Sequence, residues 1–143
     1  MFKSIMIAYD GSKESEHALS SAISLAQSFD AALTVVTVLE PLPSYTAFTY
    51  AVYPSLPQEL KKEKREHLLD LQKAALQRAS DQKVKATAVL VDGDEVAGIV
   101  EAAAQIHADL LVIGLRKHLT FTPLGGTAHL VAGRSPCPLL AVS

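Results

Sequence analysis

Two hydrophobic rhythms alternate along this chain. Ser4-Ile5-Met6-Ile7-Ala8-Tyr9 is a short apolar run that stops at Asp10-Gly11, the pattern of a buried strand closed by a turn. Ser12 then stands where a helix N-cap belongs. After it Ala18, Leu19, Ala22, Ile23, Ala26 and Phe29 recur at spacings of three and four, which makes one apolar helix face. The strand rhythm returns at Leu33–Val38 and again over Lys83–Val91. In the latter, Val84-Lys85-Ala86-Thr87-Ala88 alternates, and partial alternation marks an edge strand with one less covered face. Val96, Ile99, Val100, Ala103 and Ile106 place a helix after Gly93-Asp94. It leads into Ala108-Asp109-Leu110-Leu111-Val112-Ile113-Gly114, a buried strand stopped by glycine. A short helix from about Thr127 to Ala132 ends near Gly133, and Pro138-Leu139-Leu140-Ala141-Val142 is the last strand. Five strands joined by four helices predict an α/β fold on a mainly parallel sheet.

One segment breaks the rhythm. Glu40–Pro57 holds Pro41, Pro43, Pro54 and Pro57, and with Tyr45, Phe48, Tyr50 and Tyr53 it carries half of all the aromatics. It reads as a long loop, either a lid or partner surface or plain cover for the sheet, and its length favours the former. The helix that follows, roughly Gln58–Ser80, opens with mixed charge from Glu59 to Glu66, the pattern of a solvated face with i,i+4 pairs.

Composition narrows the class. The 49% of hydrophobic residues are mostly aliphatic and only 6% of the chain is aromatic, which suits helices on a parallel sheet rather than an aromatic-cored sandwich. So much apolar surface against a net charge of −2 must collapse, which excludes disorder. Thirteen Lys and Arg against fifteen Asp and Glu leave no basic excess, which excludes a general electrostatic nucleic-acid binder. With no internal repeat or linker, residues 1–143 read as one domain. No apolar stretch approaches the roughly 20 residues a bilayer requires, so no membrane insertion is expected. The first ten residues lack a signal peptide's apolar core, and the lone Cys137 cannot form an internal disulfide. A cytoplasmic protein is expected.

Ligands of open parallel sheets bind beyond the carboxyl ends of the strands, where the strand order reverses. Two strand ends here carry unusual residues. Asp10-Gly11-Ser12 puts a carboxylate before a helix start, and an Asx turn is an equal reading of Asp10. The stretch 114–127 is a strand-to-helix crossover with three glycines, the hydroxyls of Thr120 and Thr122, Arg116-Lys117-His118, and a helix start at Gly126-Thr127. Backbone N–H groups at Gly126-Thr127, with the Thr127 hydroxyl, make an anion site available there, to which Arg116 and Lys117 add charge. The spacing matches neither G-x-x-x-x-G-K-[ST] nor G-x-G-x-x-G, which argues against a P-loop NTPase or a dinucleotide dehydrogenase.

Taken together, these segments resemble the universal stress protein family from end to end. The resemblance rests on Ile5-Met6-Ile7-Ala8-Tyr9-Asp10-Gly11-Ser12 with Ala18-Leu19, on Leu33–Val38, and on Gly98-Ile99-Val100 through Gly114. Gly126-Thr127 and Ser135-Pro136-Cys137-Pro138-Leu139-Leu140-Ala141-Val142 complete it. It implies an open, Rossmann-like five-stranded parallel sheet in order 3-2-1-4-5 with helices on both faces, and usually a dimer. It also implies ATP or AMP, with or without Mg²⁺, between the ends of strands 1 and 4. By position, Asp10 would meet the ribose or adenine end, backbone near Ala8 and Tyr9 would flank the base, and Val38 would pack on it. Ile113 would belong to the nucleotide site, and Gly114, Gly126 and Thr127 would hold ribose and phosphates, with Arg116 and Lys117 beside them. Nucleotide-binding members carry G-x2-G-x9-G-[ST]. Here Lys117 replaces the second glycine and eight residues separate it from Gly126, one fewer than the pattern. Lys117 either obstructs a phosphate or supplies charge to it.

The remaining chemistry is sparse. His17, His67, His107, His118 and His129 show no paired-ligand spacing, so no metal site is expected, and only His118 is kept as a phosphate contact. Cys137 between prolines reads as an inert thiol rather than a redox sensor. No nucleophile–base pair or carboxylate dyad is evident, so no enzyme is expected. The apolar last strand carries no lysine or internal proline to protect an edge. Homodimerisation through Leu139–Val142 is expected, against cover by the preceding helix. A nucleotide-binding regulatory module in the stress response, with an unknown protein partner, is the first reading. A nucleotide-free dimeric interaction protein is the alternative.

Overall fold

The structure, a computed structural model, describes residues 1–41, 51–116 and 126–143. Its elements run β1 (Ser4–Ala8), α1 (Lys13–Phe29), β2 (Ala32–Leu39), α2 (Leu56–Asp81), β3 (Ala86–Asp92), α3 (Glu95–Gln105), β4 (Leu110–Gly114), α4 (Thr127–Ala132) and β5 (Leu139–Val142). All neighbouring strands are parallel, in the order β3-β2-β1-β4-β5, as expected. Central β1 is held on both sides: Met6 is level with Thr34 of β2 and Leu111 of β4. Ile5, Met6 and Ile7 are accordingly inaccessible, and the near-continuous apolar run is what a strand covered on both faces requires.

The two faces bury separate cores. Ile5, Ile7, Val35 and Val112 point toward α1 and α2, meeting Ala18, Leu19, Ala22, Ala75 and Ala79. Met6, Val36, Leu111 and Ile113 point the other way, against Ile99, Ala102 and Ala103 of α3 and Val131 of α4. Alanine recurs on these helix faces because a small side chain lets a helix approach a sheet of Val and Ile. The partial alternation of β3 does mark an edge, and most of its residues are exposed or half-exposed.

Several boundaries differ from expectation for local reasons. Residues 83–85 are not strand: α2 ends in a turn in which Lys83 is left-handed (φ 61°) and the Val84 N–H donates to the Ala79 carbonyl at 2.9 Å. β1 closes at Ala8, one residue before Tyr9. α2 starts at Leu56, with Pro57 in its first turn, where the missing N–H costs no helix hydrogen bond. Tyr9, the last residue of the apolar run, is core (4% exposed), whereas Phe29 departs from the predicted apolar helix face, 39% exposed and edge-on to Phe2 at 5.3 Å. Of the proline- and aromatic-rich stretch, residues 42–50 lie outside the described residues, as do Lys117 and His118. Tyr53 is exposed. The charged opening of α2 is a solvated face, and Arg65 reaches Asp92 at the end of β3 at 3.0 Å. Among the described residues no helix is long and apolar enough to cross a membrane.

Candidate functional site

The order reversal leaves β1 and β4 as neighbours whose following segments diverge, one to α1 and the other across to α4. A cavity of about 500 Å³ opens between them, within the range of small-molecule sites. Its floor is the carboxyl ends of β1, β2 and β4, where Ala8, Val36, Val38 and Ile113 face Ile99 of α3. Asp10, Ser12, Glu14 and Arg116 form one polar wall; Glu95, Gly126, Thr127 and His129 form another.

The first wall is built by the chain leaving β1. The Tyr9 N–H donates to the Val36 carbonyl at 2.9 Å, and the buried Thr37 hydroxyl donates to the Tyr9 carbonyl at 2.7 Å. Backbone at Tyr9 therefore belongs to the cavity, while its ring turns into the core under α1 and its hydroxyl donates to Glu16. Burial first, then that carboxylate, raises the Tyr9 phenol far above its ordinary value, so it stays neutral. Asp10 follows. Its Oδ1 accepts the Ser12 N–H at 2.9 Å, so the Asx turn is real and the carboxylate still lines the cavity. Partial burial alone would raise the Asp10 carboxyl; hydrogen bonds from Ser12 and Ser15 and the charge of Arg116 outweigh it and hold the group below the usual range. Asp10 is thus a fixed anion. Gly11 makes the turn with φ +81°, where a Cβ would also lie 2.8 Å from Leu71. Ser12 caps α1 by accepting the Ser15 N–H at 3.2 Å.

The crossover residues serve different ends. At Gly114 a Cβ would stand 2.7 Å from the Glu14 carbonyl carbon and 2.8 Å from the Ser15 nitrogen. The glycine is therefore required for α1 to lie against β4, whatever occupies the cavity. The Arg116 guanidinium, largely exposed, sits 3.8 Å from the Glu14 carboxylate. Gly126 is the extended N-cap of α4 (φ −89°, ψ −178°) and supplies no side-chain cap. The Thr127 hydroxyl donates to Glu95 at 3.5 Å.

Ala8, Tyr9, Asp10, Val38, Ile113, Gly114, Arg116, Gly126 and Thr127 thus converge on one cavity, while Lys117 lies outside the described residues. Sequence reasoning missed Glu95, which directly follows the helix cap Asp94 and looks like an ordinary first-turn acid. Burial, then repulsion from Glu40 and Asp10, push its carboxyl above the ordinary range; the Thr127 bond pulls back less. Val36, Ile99 and Glu14 were also missed, since core residues and cap-turn acids carry no local mark of a cavity. Cys137 is half-buried, its sulfur 3.9 Å from the Ser135 hydroxyl. Among the described residues no three His, Cys, Asp or Glu side chains converge to hold a metal.

Comparison with known proteins agrees with this architecture. A universal stress protein of Thermus aquaticus is 32% identical over 148 residues, covering 99% of both chains. A solved structure from the universal stress protein family of Burkholderia pseudomallei is 27% identical, with a TM-score of 0.77 over 99% of this chain and 96% of that one. Two further folds superimpose with TM-scores of 0.71. One is a universal stress protein solved in complex with cAMP (24% identical, covering 99% and 97%). The other is from Archaeoglobus fulgidus, in complex with dAMP (19% identical, covering 99% and 98%). The model of the universal stress protein family matches residues 1–143, and with that match and the Thermus relative the chain belongs to the universal stress protein family.

Proposed function

We propose that this protein is an adenine-nucleotide-binding regulatory module whose ligand, ATP or AMP, occupies the cavity between β1 and β4. The observation that carries this is the cavity's division into an apolar floor and polar walls at the one place where the strand order reverses. A purine fits the slot of Ala8, Val36, Val38, Ile99 and Ile113, with backbone at Ala8 and Tyr9 along its edge. Asp10 accepts from ribose hydroxyls, while Gly114, Gly126 and Thr127 face the phosphate end, with Arg116 as a cation beside it. The cAMP and dAMP complexes of two structural neighbours support an adenine ligand. Mg²⁺ enters with the phosphates of ATP, because no carboxylate or imidazole triad among the described residues offers it a seat. On this reading the ligand is bound and read rather than turned over. The protein acts in the cytoplasm, as one domain over 1–143, and dimerises through β5, where Leu140 is 38% exposed on an edge strand.

A second reading, a nucleotide-free dimeric interaction protein, draws on a specific observation: Arg116 is engaged by Glu14 and Thr127 by Glu95. Calorimetry with ATP, ADP and AMP, with and without Mg²⁺, separates the two. The first reading expects binding that Gly126→Asp abolishes; absence of heat and of any co-purifying nucleotide would leave the second. Lys117→Gly shows whether that lysine obstructs, in which case binding tightens, or contacts phosphate, in which case it weakens. A multiple-turnover ATPase assay is expected to stay at background.

A further inference from the structure

We infer that Glu95 is a charge filter in this cavity, setting which adenine ligands are held by how much negative charge they carry. This inference rests on the nucleotide reading above and sharpens it to a ligand class. Uncharged nucleosides and monophosphate esters are favoured over triphosphates, and the preference relaxes when the Glu95 carboxyl is neutral.

The geometry places Glu95 for this role. It is half-buried in the first turn of α3, lines the cavity, and holds the Thr127 hydroxyl at 3.5 Å. An anionic group approaching Thr127 must displace that carboxylate or lie against it. The surrounding charge gives the carboxylate little relief. Asp94 caps its own helix, Glu40 follows β2 and Asp10 follows β1, all acidic. Across the cavity, Arg116 sits against Glu14 and also acts on Asp10, and His129 is the titratable group that α4 adds to the wall among the described residues. Adding an anionic ligand to this group raises the repulsion with each phosphate charge, in a partly enclosed site where water screens poorly. A neutral nucleoside meets no such penalty.

Protonation removes the obstacle in a definite direction. Burial and the neighbouring acids push the Glu95 carboxyl up while Asp10 is held down, so on acidification Glu95 is neutralised before Asp10. Neutral Glu95 also becomes a donor, able to share a proton with a phosphate oxygen. Affinity for charged nucleotides therefore rises as pH falls, and affinity for adenosine does not.

The test is calorimetric titration of the full chain with adenosine, AMP and ATP, all without Mg²⁺, at pH 7.5 and 5. Wild type is compared with Glu95→Gln, which keeps shape and removes charge. At pH 7.5 the variant is expected to bind AMP about threefold and ATP about tenfold more tightly, with adenosine unchanged, the scale of one charge acting across a partly enclosed site. At pH 5 the gap between the two proteins is expected to narrow, and because His129 is present in both, their ratio isolates Glu95. An equal gain for all three ligands, or no gain for ATP, overturns the filter while leaving nucleotide binding intact. If neither protein binds any of the three at either pH, the nucleotide reading falls and the filter falls with it. Carbon-13 detection of the Glu95 carboxyl provides a second measure: its titration midpoint is expected to rise when ATP binds, and an unmoved midpoint in the ATP complex counts against the inference.

Discussion

Gly114 lies at the seam between fold and site, and substituting it decides which of the two it serves. A methyl group at this position would stand 2.7, 2.8 and 2.9 Å from three atoms in the first turn of α1, two of them backbone. Ordinary carbon contacts begin at about 3.5 Å, so the nearest is short by about 0.8 Å. Backbone capped by Ser12 and anchored on β4 cannot rotate aside as a side chain does; the whole N-terminal turn of α1 must move. Overpacking of this kind costs about 1–3 kcal/mol, and collision with backbone puts Gly114→Ala near the top of that range. For a domain of this size the melting temperature then falls by about 6–12 °C. Gly98→Ala is the internal comparison. Its methyl meets only side-chain carbons of Val38 and Val91, at 3.1 and 3.4 Å, and helix propensity gains about 1 kcal/mol, so the net change stays within about 1 kcal/mol. Thermal and urea unfolding of the ligand-free proteins measure both. If Gly114→Ala melts within about 2 °C of wild type while losing nucleotide, the glycine serves the ligand and the packing argument is wrong.

Three further outcomes follow from the charges and the sheet edge. Asp10→Asn is expected to be less stable than wild type at pH 7. Because the Asp10 carboxyl is depressed in the fold, its contribution is present above the ordinary carboxylate range and lost as pH falls through the folded value, so urea midpoints should converge in strong acid. Glu95 carries the opposite sign: its raised carboxyl favours the protonated fold, so Glu95→Gln should melt higher than wild type at pH 7.5, with the gain vanishing in acid. Leu140→Lys puts a charge on the exposed β5 edge. Light scattering after gel filtration should then report the 15.3 kDa chain where wild type gives twice that mass, and an unchanged dimer would place the contact elsewhere.

The fold was legible because its determinants are local. A run such as Ile5-Met6-Ile7, buried on both faces, reads as a central parallel strand without knowledge of its neighbours, and Ser12 and Asp94 sit at helix starts where their side chains do accept the first-turn N–H groups. Boundaries failed where a local preference was overridden by tertiary or turn geometry. Val84 is a strand-forming residue type and Lys85 continues its alternation, yet the α2 ending leads into them through a left-handed Lys83. Tyr9 was legible as the end of a strand, but its destination in the core depends on Glu16 of α1 and on that residue's partner Arg78 of α2.

The site was half legible for the same reason. Its address, the ends of β1 and β4, follows from topology alone, and Asp10 announces itself as a carboxylate at a strand end. What each residue does there depends on partners far along the chain. Gly114 looks like a phosphate glycine until Glu14, a hundred residues earlier, is found against it. Arg116 looks like a free cation until the same Glu14 engages it, and Thr127 looks like a free donor until Glu95 accepts from it. A motif records which residue types stand at which spacing, and electrostatics within a cavity depends on which residues face each other across it. Two chains of this family can therefore share the address of a site and differ in what it admits, with a single first-turn acid such as Glu95 able to change the charge that a ligand meets.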